Sequence, residues 1–252
     1  MMEKINLGKI EKLDYGRNEA YKSLRTNLSF CGDDVKVIVL TSCTPNEGKS
    51  TVAINLGMTL AADGKKTVIV DADLRKSVLV GRHGITSDND IKGLSHYLSG
   101  QEKFERVLCE TDVDNMYMIL AGPVTPNPTE LLGNKYFTRL IERLREEFDY
   151  VIIDAPPLGS VIDAAIITKE SDGIVMVVES NRISYRFAQN VKKQLENTDC
   201  KILGAVLNKV DAERVGYYKK YGGRYGRYGK YGKYGKYGYG YGYGEENLDK
   251  LD

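Results

Sequence analysis

Two adjoining stretches decide the fold: VKVIVL at residues 35–40 and CTPNEGKST at residues 43–51. The first is a largely apolar, β-branched run, which predicts a strand buried on both faces. The second matches the pattern GxxxxGK[ST], with Cys43 at the position of the first glycine. A loop of backbone N–H groups between a strand and a helix receives phosphates, although a glycine turn that ends in Lys-Ser by chance is the alternative.

Similar apolar runs recur along the chain, with helix-length segments between them. The further predicted strands are Thr67–Val70, Met116–Leu120, Tyr150–Ile153, Gly173–Val178 and Ile202–Leu207. The predicted helices are Asn18–Phe30, Lys49–Ala62, Pro128–Phe148 with Asn127 as its cap, Val161–Ser171 and Ser184–Asn197. Alternating strands and helices predict an α/β fold with a doubly wound, mostly parallel sheet flanked by helices. We expect an N-terminal segment at residues 1–34, a nucleotide-binding domain at 35–215 and a tail at 216–252.

The residues of the loop have distinct predicted tasks. Gly48 allows the backbone to approach the phosphates, Lys49 can reach the β and γ phosphates, and the Ser50 hydroxyl can ligate Mg²⁺. Glu47 and Thr51 complete the predicted nucleotide-binding set of the loop.

Three carboxylates follow predicted strands. Asp71 and Asp73 come after the run Val68–Val70, and Asp154 ends the run that begins at Tyr150. In parallel sheets, ligands bind at the carboxyl ends of strands, and a carboxylate there can hold a Mg²⁺-bound water. A single such aspartate is often only a helix cap, but three of them together with the Lys49 loop predict a site for ATP and Mg²⁺.

With these motifs, the chain resembles the bacterial tyrosine kinases, in particular the separate kinase subunits of Gram-positive capsule and exopolysaccharide systems. The resemblance covers nearly the whole chain. Its motifs are the Lys49 loop (Walker A), Asp71-Ala72-Asp73-Leu74-Arg75 (Walker A′), Val151–Pro157 (Walker B), Gly93-Leu94-Ser95, Gly122–Leu132 and a terminal tyrosine cluster. The resemblance implies a P-loop NTPase fold and an ATP-dependent protein-tyrosine kinase activity.

The same resemblance implies roles for individual residues. Lys49 binds phosphate, while Ser50, Asp73 and Asp154 organise Mg²⁺. Asp71 is the candidate base for the tyrosyl proton, and the Asp71–Asp73 pair is more firmly predicted than the division of roles within it. Asn208, after the last predicted strand, is a candidate contact to the adenine, and an ordinary polar turn is the alternative.

An early ExxRxxR pattern of the family, associated with ring-shaped oligomers, corresponds to Glu19, Lys22 and Arg25. Lys22 replaces an arginine and lacks its bidentate fork, which weakens the implied oligomer. A solvated helix face is the alternative interpretation of these residues.

The tail contains eleven tyrosines within 27 residues, interleaved with glycine and seven basic residues. They are Tyr217, Tyr218, Tyr221, Tyr225, Tyr228, Tyr231, Tyr234, Tyr237, Tyr239, Tyr241 and Tyr243. A segment without aliphatic residues is predicted to be disordered, with an r.m.s. span of roughly 30 Å that could reach a neighbouring subunit. A glycine/tyrosine linker or an RNA-binding segment fits the tail alone. The resemblance favours phosphoacceptors, modified in trans between subunits.

Composition restricts the partners and the compartment. The net charge of +1 gives no reason to expect a nucleic acid, and four scattered cysteines fit a reducing cytosol. No signal peptide or membrane span is predicted. The resemblance implies a homo-oligomer, a membrane-embedded activator, an opposing tyrosine phosphatase, and a place in the cytoplasm at the inner face of the cell membrane.

Two rival functions stay open. The first is an ATPase of the septum-positioning or DNA-partitioning kind, built on the same fold. Those proteins resemble one another in carrying a lysine just after the first glycine of the loop, where this chain has Thr44. The second is a nucleotide-switched adaptor whose tail binds RNA or protein.

Overall fold

Nine strands, found in the described part of the chain, form one sheet in the order β4-β1-β5-β6-β3-β7-β2-β8-β9. A computed structural model describes residues 2–8, 13–159 and 162–211, so all eleven tail tyrosines lie outside the described residues. The strands are β1 (Glu3–Leu7), β2 (Val37–Ser42), β3 (Thr67–Asp71), β4 (Ile85–Thr86), β5 (Leu108–Thr111), β6 (Met116–Ile119), β7 (Tyr150–Asp154), β8 (Gly173–Glu179) and β9 (Ile202–Asn208).

The helices lie between these strands, as an α/β fold requires. They are α1 (Tyr15–Ser29), α2 (Lys49–Ala61), α3 (Leu79–His83), α4 (Leu94–Leu98), α5 (Phe104–Val107), α6 (Pro128–Leu132), α7 (Lys135–Glu147), α8 (Asp163–Ile167), followed by a 3₁₀ turn at Thr168–Glu170, and α9 (Tyr185–Glu196). The described residues up to Val210 belong to one structural unit.

The six central strands, from β6 to β9 in the sheet order, are all parallel. Successive residues of one strand face different cores: Val37 and Val39 of β2 pack in one hydrophobic cluster, and Ile38 and Leu40 in another on the opposite face. All four are fully buried. This explains why the run is continuously apolar instead of alternating. The predicted fold class is confirmed.

The six predicted strands are all present, within two residues of their predicted ends. Three strands were not predicted: β1, β4 and β5. The run at residues 35–40 was the first strand predicted along the chain, after the helix Asn18–Phe30; this order is wrong, because β1 lies before that helix and pairs with β4 and β5.

The predicted helix Pro128–Phe148 is also wrong as a single element, since it divides into α6 and α7. Asn134 interrupts it: its side-chain Oδ1 accepts hydrogen bonds from the backbone N–H groups of Tyr136 (2.9 Å) and Phe137 (3.2 Å), which caps α7. Asn127 precedes α6 as predicted, but its side chain makes no capping hydrogen bond. Val161, the predicted start of the next helix, lies outside the described residues.

The order of three central strands places the site. Strand β7 lies between β3 and β2, with Asp71 opposite Asp154 and Leu40 opposite Asp154 in the register. The carboxyl ends of β3 and β7 therefore meet beside the loop that leaves β2. The three predicted motifs converge at one edge of the sheet.

Candidate nucleotide-binding and catalytic site

The loop between β2 and α2 is organised by its own glutamate. Glu47 is buried, and its Oε2 accepts hydrogen bonds from the backbone N–H groups of Cys43 (2.7 Å) and Thr44 (3.1 Å). This carboxylate contacts the loop itself, so its evident task is to fix the loop's shape. A direct contact between Glu47 and a nucleotide stays a prediction.

Gly48 has a backbone conformation that other residues rarely adopt. Its φ is +89°, and a Cβ built there would lie 2.2 Å from Nδ2 of Asn208. Asn208 Nδ2 donates a hydrogen bond to the carbonyl oxygen of Glu47 (2.9 Å), so it supports the loop from the end of β9. Glycine is therefore required at position 48 for two independent steric reasons.

Lys49 and Asp154 form a buried ion pair, with 2.5 Å between Nζ and Oδ1. Both side chains are almost completely excluded from solvent, as is Asp71 on the neighbouring strand. Ser50, the next residue of α2, is also buried. Phosphate-binding and acidic motifs that are 105 residues apart in the sequence are thus in direct contact.

Asp71 has an unusual electrostatic environment. Burial raises the pKa of its carboxyl well above the usual aspartate range, and the charge of Asp154 raises it further, whereas Ser77 and Lys49 oppose the rise. The Ser77 hydroxyl donates a hydrogen bond to Asp71 Oδ2. Asp73, which lines the same cleft, makes a different contact: its Oδ1 accepts a hydrogen bond from the backbone N–H of Lys76 (3.0 Å). Because its pKa is raised, the carboxyl of Asp71 is suited to exchanging a proton near neutral pH.

A cleft of about 240 Å³ opens between these elements. The predicted site residues among its lining are Glu47, Gly48, Lys49, Ser50, Asp71, Asp73 and Asp154. Thr51 and Asn208 do not line it; Thr51 lies one residue further into α2, and Asn208 lies behind Gly48.

Comparisons with known proteins agree with this geometry. Residues 35–203 match the model of a family described as an AAA domain. Tyrosine-protein kinase CpsD of Streptococcus agalactiae is 44% identical over 204 residues, which is 81% of this chain and 88% of that protein. The chain belongs to the bacterial tyrosine-protein kinases. The family and the enzyme class predicted from the sequence are thereby confirmed.

Solved structures of related proteins have the same fold as this member of the tyrosine kinase family. The crystal structure of the chimerical protein CapA2B2 is 33% identical, with a TM-score of 0.73, and the match covers 81% of this chain and 93% of that one. The septum site-determining protein MinD from Pyrococcus horikoshii, complexed with Mg-ADP, is 25% identical with a TM-score of 0.60; 70% of this chain and 71% of that one are covered. The kinase fold is thus that of nucleotide-binding P-loop proteins.

The residues of the cleft suit a magnesium-bound nucleotide. Thr44 Oγ1 is buried in the loop without a hydrogen-bond partner among the described residues, and Lys49 and Ser50 line the cleft itself, where they offer an ammonium group and a hydroxyl to phosphate oxygens. Ser50, Asp73 and Asp154 offer the oxygen ligands that Mg²⁺ prefers. No group of three or more His, Cys, Asp or Glu with metal-site geometry occurs in residues 2–8, 13–159 and 162–211. Since Mg²⁺ is usually held by one or two carboxylates together with substrate phosphates and water, the kinase does not need such a group.

Three residues of the kinase site escaped sequence reasoning. Arg82 Nη2 donates to Asn46 Oδ1 (3.0 Å), and Lys209 Nζ donates to the Asn46 carbonyl oxygen (2.8 Å), so the tip of the loop is held from α3 and from the end of β9. Ser77 is the third. Arg82 and Lys209 contact residues that are distant in the sequence, and the contact of Ser77 with Asp71 depends on the turn after β3. The only signal in the sequence for any of the three is that Lys209 directly follows Asn208, which was predicted to be in the site.

The structure shows where the remaining predicted residues of this kinase lie, but it does not test their predicted roles. Lys22 Nζ pairs with Glu19 Oε1 (2.7 Å) on the outer face of α1, and Arg25 Nη1 pairs with Asp63 Oδ1 (3.2 Å) after α2. Their role in an oligomer stays a prediction. Among the described residues, every helix is too short or too polar to cross a bilayer.

Proposed function

We propose that this chain transfers the γ-phosphoryl group of ATP to tyrosine hydroxyls, with the tyrosines of its own tail as substrates in trans. The observation that carries the proposal is the buried carboxyl of Asp71, which lies beside the Lys49–Asp154 ion pair at the edge of a phosphate-binding loop. A simple nucleotide hydrolase needs a place for water, whereas a kinase needs a base that accepts the proton of an incoming hydroxyl. Kinship with proteins named tyrosine-protein kinases supports the second alternative.

The proposed roles follow from where each group lies. Lys49 binds the phosphates, and the backbone of the loop, with Glu47, Gly48, Ser50 and Thr51, holds the nucleotide. Asn208 lies close to this loop, where it supports Gly48 and is a candidate contact to the adenine. When bound, MgATP supplies the phosphoryl group and the positive charge that neutralises it.

The acidic residues divide into two proposed roles. Asp73 and Asp154 hold the metal together with Ser50, and Asp71 accepts the tyrosyl proton at Oδ2, the oxygen that now receives the Ser77 hydrogen bond. Because burial disfavours the ionised form of Asp71, the protonated product state is less costly than it would be for an aspartate in water.

The tail is proposed as substrate because of its composition. Tyr217–Tyr243 contains seven Lys or Arg and no acidic residue, while the rest of the chain carries a net negative charge. Electrostatic attraction therefore favours the approach of a tail to the negatively charged remainder of a neighbouring subunit. We propose in addition that Glu19, Lys22 and Arg25 contribute to the homo-oligomer that brings tail and cleft together.

The proposed physiological setting rests on the relatives. We propose that the kinase acts at the inner face of the cell membrane, docked on a membrane-embedded activator, and controls capsular or exopolysaccharide synthesis. An opposing tyrosine phosphatase would reset the tail. These partners would be sought by pull-down with the kinase in its ATP-treated and phosphatase-treated forms.

Two purified variants test the proposal. Lys49→Met has an intact tail but no phosphate-binding lysine, and a second variant keeps Lys49 but has phenylalanine at all eleven tail tyrosines. Neither is expected to label its own tail with ATP, as detected by anti-phosphotyrosine blotting. Mixed together, they are expected to produce phosphotyrosine on the Lys49→Met chain, because transfer in trans needs one active cleft and one intact tail. ATP hydrolysis by the wild type without phosphotyrosine would support the ATPase alternative instead.

A further inference from the structure

Asp163 is a buried carboxylate outside every sequence motif of the site. Only 1% of its surface is exposed, yet both of its oxygens are engaged. Oδ2 lies 2.6 Å from Arg75 Nε, and Oδ1 lies 3.0 Å from Arg75 Nη2. Oδ1 also accepts a hydrogen bond from the Thr129 hydroxyl (2.8 Å), which in turn accepts one from Arg75 Nη2 (3.0 Å). The result is a closed network of three side chains.

The network joins three separate segments at the cleft. Arg75 belongs to the turn after β3, Thr129 to α6 and Asp163 to α8. Arg75 lines the cleft together with Asp71 and Asp73. An arginine side chain is always protonated in proteins, so Arg75 brings a permanent positive charge to the cleft.

Stability alone does not account for this arrangement. The Arg75 side chain is 41% exposed, and an ion pair of that exposure contributes little to the stability of a fold. Full burial of the Asp163 carboxylate opposes that gain, because its hydration is lost. What the network achieves is orientation, since a bidentate pair fixes a guanidinium plane more tightly than a single contact can.

The fixed guanidinium still has donors to offer. Of its five N–H groups, Nε uses one on Asp163, and Nη2 uses two on Asp163 and Thr129. The Nη1 group, on the other edge, donates to no acceptor within residues 2–8, 13–159 and 162–211. Two oriented donors on a permanent cation form a ready contact for a phosphate oxygen.

We propose that Asp163 and Thr129 are positioning residues that hold Arg75 so that its Nη1 group binds the γ-phosphate of ATP. The inference rests on the proposed function, because Asp71, the proposed base and the last residue of β3, is only four residues before Arg75, and the base must lie near the group that is transferred. A cation fixed beside the transferred phosphoryl group stabilises the charge of the transition state without having to reorganise.

Nucleotide affinities measured without turnover test this directly. The full chain is titrated with ADP and with the non-hydrolysable triphosphate adenylyl imidodiphosphate, both with Mg²⁺, by calorimetry. Arg75→Lys and Asp163→Asn are each expected to weaken binding of the triphosphate by about tenfold and to leave the affinity for ADP within about twofold, because only the triphosphate presents the γ-phosphate.

A matched ion pair elsewhere provides the control. Glu3 of β1 pairs with Arg106 Nη1 (2.5 Å) and accepts a hydrogen bond from Asn89, and the exposures of that pair, 9% and 44%, resemble those of Asp163 and Arg75. Glu3→Gln is expected to alter neither affinity, although it lowers thermal stability. If Asp163→Asn instead weakened ADP and the triphosphate equally, or behaved like Glu3→Gln, the proposal would be overturned.

Thr129 supplies a rescue experiment. Thr129→Val keeps the shape but removes the hydroxyl, so kcat for phosphoryl transfer is expected to fall about tenfold with the KM for the acceptor unchanged, while Thr129→Ser restores kcat. Loss of activity in both variants would contradict positioning by the hydroxyl. A wild type that forms no phosphotyrosine would refute the proposed function, yet the triphosphate-to-ADP contrast would still decide the role of Arg75.

Discussion

Two buried carboxylates and one buried lysine meet at the centre of the cleft. Asp71 and Asp154 are opposite each other in adjacent strands, and Lys49 pairs with Asp154. If all three side chains were charged, this buried site would carry one uncompensated negative charge. Burial and the neighbouring charge of Asp154 accordingly raise the pKa of Asp71. A divalent cation would supply the missing positive charge, which is the physical reason to expect Mg²⁺ beside these residues.

The substitution Asp71→Asn is expected to lower the catalytic rate and to raise the stability of the fold. The amide cannot accept the tyrosyl proton, so the rate of tail phosphorylation is expected to fall by about 10²–10⁴-fold, while nucleotide affinity changes little. Because the substitution removes a poorly compensated buried charge, the free energy of unfolding without nucleotide and metal is expected to rise by on the order of 1 kcal/mol at pH 7.5. Quantitative phosphotyrosine detection and denaturant unfolding measure the two effects. An Asp71→Asn protein that keeps more than a tenth of the wild-type rate would exclude Asp71 as the base.

At the scale of elements, Asp172, the residue just before β8, contacts both β2 and α7 at the end of the sheet remote from the cleft. Its Oδ2 accepts hydrogen bonds from the backbone N–H groups of Lys36 (2.9 Å) and Val37 (2.8 Å) at the start of β2. Arg145 of α7 pairs with the same carboxylate at 2.7 Å. Burial alone would raise the pKa of Asp172, but Arg145 and the two N–H groups outweigh burial and lower it.

The lowered pKa fixes the sign of a pH effect. An aspartate that is more acidic in the folded protein stabilises the fold above its unfolded pKa of about 3.9, and this contribution disappears as the pH falls through the lower, folded value. Asp172→Ala is expected to reduce the free energy of unfolding by about 1–3 kcal/mol at pH 7, since it leaves buried N–H groups without an acceptor. The difference from wild type is expected to shrink below pH 4, as measured by urea unfolding. Asp149→Ala, which removes a single exposed contact to Lys66 N, is the control with a smaller effect. A pH-independent difference would contradict the ionic part of the argument.

Strands that are buried on both faces could be predicted from the sequence, because a continuous apolar run of a few residues is enough to indicate them. The central strands, such as β2 and β8, are of this kind. Strand β1 alternates buried and exposed residues over only five positions and pairs with residues more than a hundred positions away, for example Glu3 with Cys109. No local pattern reports such a partner, so β1, β4 and β5 were missed.

The same distinction applies to the site. Lys49 and Asp154 were predictable because each belongs to a motif with fixed local spacing. The contact of Arg75 with Asp163 spans 88 residues and depends on how α8 is placed against the turn after β3, which no spacing encodes. Sequence therefore finds the residues that bind the ligand more readily than the residues that hold those in place.

At the scale of the whole molecule, charge is distributed unevenly between the tail and the rest of the chain. The stretch from Tyr217 to Tyr243 has seven basic residues and no acidic one, although the whole chain has a net charge of only +1. Each phosphotyrosine adds about −1.5 to −2 charges at neutral pH. Phosphorylation of even half of the eleven tyrosines would therefore reverse the sign of the tail and turn its attraction to the acidic remainder into repulsion.

This reversal predicts that autophosphorylation dissociates the oligomer. Phosphatase-treated protein is expected to be assembled at low ionic strength and to dissociate progressively as salt screens the attraction, whereas ATP-treated protein is expected to be smaller at the same concentration. Native mass spectrometry and light scattering measure the size of both forms. The variant with phenylalanine at all eleven tail tyrosines is the control: it keeps the basic residues and cannot be phosphorylated there, so ATP should leave its size unchanged. If the phosphorylated and dephosphorylated wild-type proteins had equal sizes, tail charge would not govern assembly, and contacts such as those of Lys22 and Arg25 on α1 would have to account for it alone.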